Sequence, residues 1–127
     1  MGRRTIIDVP GVAHGTMPIP MAVKIGNMVY SSGIHGMDPA TGTIPQDPAA
    51  QVKLVFQHMR TIVENAGGGT GDIAIVIFNI ADDSVRPLVN DEWLAMFPDD
   101  DDRPARNTHL TQLGMGMKIH VLMTAVL

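Results

Sequence analysis

The middle of the chain is the segment that most limits what it can fold into. Asp47-Pro48 places a capping carboxylate and a first-turn proline ahead of apolar residues at helical spacing. Those apolar residues are Val52, Val55, Phe56, Met59, Val63 and Ala66. The pattern predicts a long amphipathic helix that ends at Gly67-Gly68-Gly69, because glycine adopts the left-handed conformation at little cost. The β-branched run from Ile73 to Ile80 then predicts a central strand with both faces covered.

A second helix and a hairpin flank this segment. Ser84 can cap a helix that tolerates Pro87 in its first turn. Upstream, two apolar runs, Met21 to Ile25 and Met28 to Gly33, are joined by Gly26-Asn27. A two-residue connection of this kind predicts a tight hairpin.

The C-terminal part of the chain completes the predicted fold. Arg106 to Gln112 and Met117 to Leu127 predict a second strand pair around the loop Leu113-Gly114-Met115-Gly116. The predicted order is β-β-α-β-α-β-β, an α+β sandwich in which a mixed sheet carries both helices on one face. The other sheet face would be apolar and uncovered, so we expect copies of the chain to bury it in a homo-oligomer.

The composition limits the class of protein. The chain has 127 residues, 45% of them hydrophobic, which predicts a single domain over residues 1–127. The absence of cysteine excludes disulfides, thiolate nucleophiles and cysteine-based zinc sites. A formal net charge of −4 argues against nucleic acid as a partner. The N-terminus lacks a basic start with an uninterrupted apolar run, so we expect a soluble, cytoplasmic protein with no membrane partner.

Arg106 is the residue that says most about function. It follows Pro104-Ala105 at the start of a predicted strand, where a planar, permanently charged guanidinium can bind a carboxylate. The alternative is an ion pair with the run of four aspartates at residues 99–102, although such runs are usually solvated loops. From the residues alone, a carboxylate-bearing ligand and the aspartate run both remain possible partners of Arg106.

Short motifs along most of the chain occur in an order that carries a family signal. They are Ala22-Val23-Lys24-Ile25-Gly26-Asn27, Tyr30-Ser31-Ser32-Gly33, Asp38-Pro39-Ala40-Thr41-Gly42, Val63-Glu64-Asn65-Ala66-Gly67, Val89-Asn90 and Pro104-Ala105-Arg106. With them the sequence resembles the RidA (YjgF-type) family of imine and enamine deaminases. The resemblance implies a chorismate-mutase-like fold of the Bacillus type and a homotrimer with ligand sites in the clefts between subunits.

The resemblance also implies roles for particular residues. Arg106 would hold the substrate carboxylate, and the Ser32-Gly33 backbone, Asn90 and Thr108 would line the cleft.

The chain also departs from the family pattern. The glutamate with which studied members position the attacking water is aligned with Leu122, and Ile19 takes the place of an aromatic cleft residue. The Gln-Ile-Pro that commonly follows Ser-Gly reads Ile34-His35-Gly36 here. The resemblance therefore predicts a cleft of this family in which the attacking water is not positioned by the usual glutamate.

Histidines are the candidates to replace the missing carboxylate, since their ordinary pKa is near neutrality. Strand parity places His120 on the same face as Leu122, and His35 lies two residues beyond Gly33, so both are candidates for proton transfer.

The remaining histidines have weaker claims. His109 is expected on the face opposite Arg106, and His58 is expected to be exposed in mid-helix. No histidine pair has the spacing of a metal motif, so we expect neither a metal site nor a cofactor.

Two classes of function remain open at this point. The first is a hydrolase that deaminates a small carboxylate-bearing imine or enamine, such as an aminoacrylate-like or aminomuconate-like acid. The second is a non-catalytic trimeric protein that binds small carboxylates, which the leucine at position 122 favours. A ribonuclease activity has been assigned to some relatives. It fits poorly with the negative net charge of this chain, because nucleic-acid binding favours positive charge.

Overall fold

The computed structural model describes residues 2–127 and consists of one mixed sheet with two helices packed on it. The strands are β1 (Thr5–Ile7), β2 (Ala22–Ile25), β3 (Met28–Ser31), β4 (Ile34–His35), β5 (Ile73–Ile80), β6 (Ala105–Leu110) and β7 (Ile119–Val126). The helices are α1 (Pro48–Asn65) and α2 (Arg86–Met96), with short 3₁₀ turns at Thr70–Asp72 and Asp83–Val85. The strand order is β1-β2-β3-β7-β5-β6, and β4 also pairs with β7.

The core lies between the sheet and the helices. Alternate residues of β5 and β7 are buried, namely Val76, Phe78, Ile80, Ile119, Val121, Met123 and Ala125. The buried side chains of α1 recur at helical spacing and include Val52, Val55, Phe56, Met59, Ile62 and Val63. One apolar stripe on each helix thus covers one face of the sheet.

The locally encoded elements are confirmed. Asp47 accepts a hydrogen bond from the Ala49 amide at the start of α1, and Gly67 ends the helix with a φ of +99°. The hairpin of β2 and β3 turns at Gly26, whose φ of +60° suits the tight connection. The mixed α+β sheet with both helices on one face is also confirmed.

The expected pairing of the two C-terminal strands is wrong. β5 lies between β6 and β7, parallel to β6 and antiparallel to β7. The chain leaves β5, crosses through α2 and returns as β6, and parallel neighbours require such a long crossover. Two further strands, β1 and β4, were not expected, and at three and two residues they are too short to show a periodic pattern.

Two expectations for the middle of the chain need correction. β5 is not covered on both faces, because Ala74 is exposed and Ile75, Ile77 and Asn79 are only half-buried. Ser84 does not cap α2, whose preceding residue Val85 makes no side-chain cap bond. Asp82 instead caps the 3₁₀ turn ahead of α2, where its carboxylate accepts a hydrogen bond from the Ser84 amide at 2.9 Å. Ser84 lies inside that 3₁₀ turn, so it does not occupy the position directly before a helix that a cap requires.

His58 is buried, contrary to the expectation that it would be exposed. Only 2% of it is accessible, and its ring Nε2–H donates to the carbonyl of Met37 at 2.7 Å. It lies on the buried face of α1, where the hydrogen bond stabilises the loop that follows β4. Burial lowers the pKa of His58, which the bond to Met37 opposes.

The second face of the sheet carries apolar side chains that nothing in the chain covers. Ile6, Tyr30, Leu122 and Val126 project from this open face and are each 39 to 53% accessible. Half-buried Ile75 and Ile77 of β5 share the face. Among the described residues, no helix combines the length and apolar character needed to traverse a bilayer.

Candidate active site

Arg106 lies on β6, the edge strand, and faces the helix side of the sheet. It pairs in register with buried Val76, and its guanidinium carbon lies 5.1 Å from the ring centroid of Phe78 and 5.2 Å from that of Trp93. Two aromatic faces therefore fix the orientation of the planar cation. The Nε–H donates to the hydroxyl of Thr108 at 3.3 Å. We call Arg106, Thr108, Phe78 and Trp93 the arginine half-site.

The charge of Arg106 is available for a ligand. Within residues 2–127 the one ion pair joins Arg86 to Asp83, so Arg106 is not bound to the aspartates at residues 99–102. The neighbouring Arg103 donates instead to the Phe97 carbonyl at 2.9 Å. Burial lowers the pKa of Arg106 and the charge of Arg86 lowers it further, yet a guanidinium remains protonated under all ordinary conditions.

Asn90 projects from α2 on the same side as the arginine half-site. Arg86, Asn90 and Trp93 stand at i, i+4 and i+7 of the helix and so share one face. Trp93 packs against Arg106, and Arg86 is close enough to influence its pKa. Asn90 lies between them along this helix face and is exposed.

His120 lies on β7 on the opposite, open face of the sheet. It is half-buried, it pairs in register with Asn79, and its Nδ1 lies 3.5 Å from the Asn79 amide nitrogen. Thr111 in turn donates to the Asn79 carbonyl oxygen at 3.2 Å. Burial lowers the pKa of His120 first, and neighbouring His14 lowers it further. His120 is therefore mainly neutral at pH 7 and able to accept a proton.

Gly33 is packed directly against the imidazole of His120. A methyl group at this position would overlap Nε2 of the ring, so only glycine allows the close approach. The Gly33 carbonyl accepts a hydrogen bond from Nε2–H of His14 at 2.6 Å. We call His14, Gly33, His35, Asn79 and His120 the histidine half-site.

His35 is placed beside His120 but is not open to a ligand. Its register partner across β4 and β7 is His120, yet only 7% of His35 is accessible. Its Nε2–H donates to the Ala13 carbonyl at 3.1 Å, and its Nδ1 is buried without a partner among the described residues. Burial, and then the proximity of His14, lower its pKa. Because its ring is buried and hydrogen-bonded, His35 has a structural role beside His120 and does not face a ligand.

The other expected cleft residues, Ser32, Leu122 and Ile19, lie on or before the strands of the open face. Ser32 precedes Gly33 and is half-buried, with its amide bonded to the Met21 carbonyl at 2.9 Å. Leu122 follows His120 on the open face, as strand parity predicts, and is 39% accessible. Ile19 is exposed in the segment before β2.

The two half-sites lie on opposite faces of one sheet. Arg106 shares the helix face with Val76, whereas His120 shares the open face with Asn79 and Leu122. A small molecule bound to Arg106 therefore cannot touch His120 of the same chain. The sequence expectation that both act on one ligand requires a second copy of the chain.

Sequence reasoning missed four residues of these half-sites. Phe78 and Trp93 are typical of core aromatics, and only the strand register places Arg106 over them. His14 belongs to an irregular segment, and Asn79 interrupts an apolar strand. That interruption was a usable signal, since a polar residue within such a strand needs a partner.

The acidic run is the one metal-like cluster among residues 2–127. Carboxylates of Asp99, Asp100 and Asp101 lie within 4.8 Å of one another, but all three are exposed, and such groups are common without an ion.

Comparison with known proteins places the chain in a family. Residues 17–127 match the family described as Endoribonuclease L-PSP. A 2-iminobutanoate/2-iminopropanoate deaminase of Escherichia coli strain K12 is 32% identical over 111 residues, which are 86% of this chain and 87% of the relative. The chain belongs to the RidA (YjgF) family. The 3-aminoacrylate deaminase RutC of Acinetobacter baylyi is 31% identical over 113 residues, 88% of this chain and 86% of the relative.

Solved structures of the RidA family share the fold. RidA from an Antarctic Psychrobacter superposes with a TM-score of 0.87 at 27% identity and covers 98% of this chain and 100% of that one. Escherichia coli TdcF with bound serine gives a TM-score of 0.86 at 27% identity, with 97% and 98% covered. The architecture is therefore the chorismate-mutase-like α+β fold expected for a RidA protein.

Proposed function

We propose that this protein is a deaminase that hydrolyses small carboxylate-bearing imines or enamines and releases ammonia. The observation that carries the proposal is Arg106, whose guanidinium makes no ion pair among the described residues and lies over the rings of Phe78 and Trp93. Such a fork binds a carboxylate with two parallel hydrogen bonds. The names of relatives at about 30% identity, an iminobutanoate/iminopropanoate deaminase and an aminoacrylate deaminase, support this chemistry.

We infer that the site forms between copies in a homotrimer. The open face exposes Ile6, Tyr30, Leu122 and Val126, and an exposed apolar surface of this kind usually marks an interface. A second copy that covers this face could bring its edge strand β6, with Arg106, against His120 of the first. One ligand would then contact both half-sites, each supplied by a different subunit.

The reaction needs water and one group that moves a proton. An enamine first becomes an imine, as its β-carbon gains a proton, its nitrogen loses one and the C=C bond is replaced by C=N. The oxygen of water then bonds to the carbon of the C=N group, and the electron pair of the π bond moves to nitrogen. The water-derived hydroxyl then loses its proton as the C–N bond breaks, which leaves a keto acid and ammonia. Arg106 holds the carboxylate throughout, with Thr108 and Asn90 beside it, while the Gly33 backbone and Leu122 of the neighbour would enclose the reacting carbon.

His120 is the proposed carrier of the proton. Its neutral Nε2 can take a proton from the attacking water and return it to the departing nitrogen. This role requires Nδ1–H to donate to an acceptor, which the carbonyl oxygen of Asn79 supplies after a half-turn of its amide. The Thr111 hydroxyl can donate or accept, so it serves both orientations of that amide. His35, the other histidine that the sequence suggests for this step, has a structural role instead, because its ring is buried and hydrogen-bonded to the Ala13 carbonyl.

Ammonia release from an imino acid generated in place tests the proposal. An amino-acid oxidase acting on alanine supplies 2-iminopropanoate, and enamine and longer imine substrates extend the series. We expect the protein to accelerate hydrolysis above the buffer rate for at least one of them. Arg106→Ala should lower kcat/KM about 10- to 100-fold, since hydrogen bonds to charged groups are worth about 1.5–3 kcal/mol. Arg60→Ala on the exposed side of α1 is the matched control.

A rate equal to buffer across all substrates would reject deamination. Binding without turnover is the alternative function, and Leu122 beside His120 is the observation that favours it. In that case small carboxylates should raise the thermal unfolding midpoint of the wild type and leave that of Arg106→Ala unchanged.

A further inference from the structure

A cluster of three histidines on the open side of the sheet contains one residue that neither the sequence nor the proposed reaction accounts for. His120 carries the proposed proton transfer, and His35 is buried beneath it. His14 lies in the segment that precedes β2, and its ring meets the ring of His35 edge-on with centroids 5.1 Å apart. His14 thus occupies a defined place in the site.

The hydrogen bonds of His14 and His35 run in opposite directions between two segments of the chain. His14 donates from Nε2 to the carbonyl of Gly33, and His35 donates from Nε2 to the carbonyl of Ala13. Carbonyl oxygens only accept, so both rings carry their proton on Nε2. The Nδ1 atoms of both rings are buried and have no partner among residues 2–127. The two bonds hold the residues around position 14 against the corner between β3 and β4.

Gly33 links this pair to His120. Its carbonyl is fixed by His14 at 2.6 Å, and its α-carbon forms the wall against which the His120 ring packs. A change in the orientation of the Gly33 peptide would therefore move the surface that sets the position of the His120 ring. The influence of His14 on the pKa of His120 is a second sign that the two rings are close.

We propose that His14 is a positioning residue, which fixes the Gly33 backbone and through it the imidazole of His120. The inference rests on the proposed function, because it assigns His120 the proton transfer. His14 itself does not contact the substrate in this account. Its loss should reduce turnover, while binding of the carboxylate by Arg106 of the neighbouring subunit should persist.

The test replaces His14 with leucine and compares it with the same change at another hydrogen-bonded histidine. His58 also donates to a backbone carbonyl, that of Met37 at 2.7 Å, but beneath α1, so His58→Leu is the matched control. We expect His14→Leu to lower kcat about 10-fold or more with KM changed less than about 3-fold, which separates turnover from binding. His14→Gln, which retains an amide donor, should recover part of the loss. His58→Leu should lower stability and leave the pH–rate profile in place.

Nitrogen-15 NMR of the ring of His120 gives a readout that does not depend on activity. We expect His14→Leu to shift the His120 resonances and its titration midpoint, and His58→Leu to leave both unchanged. Unaltered His120 resonances in His14→Leu would overturn the inference, and so would equal losses of kcat in the two variants. An inactive wild type would instead reject the proposed function, and the NMR comparison would still decide whether His14 positions His120.

Discussion

At the scale of single residues, the proposed function depends on how Arg106 is held. Its guanidinium carbon lies over the rings of Phe78 and Trp93 and its Nε–H donates to Thr108, so the group is oriented before any ligand arrives. Preorganisation of this kind reduces the conformational entropy lost on binding. A flexible ammonium cannot stack in the same way or donate two parallel hydrogen bonds.

Arg106→Lys tests whether the planar guanidinium of Arg106 matters as well as its positive charge. We expect KM for imino acids to rise about 10-fold, because one charge-assisted bond of about 1.5 kcal/mol is lost. Steady-state ammonia release measures it, with Arg60→Lys on the surface of α1 as control. A KM equal to that of the wild type would mean that charge alone suffices.

At the scale of elements, local patterns were predicted well and long-range pairing poorly. α1, the β2–β3 hairpin and β5 each carry a periodic or turn signal within their own residues. The position of β5 between β6 and β7 depends on a crossover through α2, which no local pattern reports. Among the residues of the proposed site, chemistry and strand parity singled out Arg106 and His120, whereas no periodic pattern or motif points to His14.

Three histidines on α1, β4 and β7 give a prediction about acid stability. Burial lowers the pKa of His35, His58 and His120, so each binds a proton more readily in the unfolded chain than in the folded one. Their contribution to stability is present above the ordinary pKa of 6.5 and is lost as the pH falls through the lower folded values. Urea unfolding midpoints should therefore fall as the pH drops from 7.5 to 5.

His58→Gln separates one of these contributions from the rest. Glutamine retains a donor for the Met37 carbonyl but does not titrate, so the midpoint should depend less on pH than in the wild type. His109→Gln, at an exposed position of β6, is the control and should retain the full pH dependence. An identical pH dependence in His58→Gln and the wild type would contradict the assignment.

At the scale of the whole molecule, the open sheet face and the split site point to the same assembly. Its apolar side chains would be covered by other copies, and those copies would bring the second half of each site. Tyr30→Lys places a charge in the middle of this face, where desolvation is costly. We expect smaller particles by analytical ultracentrifugation and a matching loss of activity.

Gln57→Lys adds the same charge on the exposed side of α1 and should leave particle mass unchanged. A wild type that sediments as a monomer, or a Tyr30→Lys variant of unaltered mass, would exclude this face as the interface.

Mixing two impaired variants tests the central claim most directly. Arg106→Ala lacks one half-site and His120→Ala the other, and each alone should release ammonia at least about 10-fold more slowly than the wild type. When the two are co-expressed in equal amounts and assemble at random, about a quarter of the subunit contacts pair an intact Arg106 with an intact His120. Roughly a quarter of wild-type ammonia release should therefore return. Mixed oligomers as inactive as the separate variants would contradict a site shared between copies.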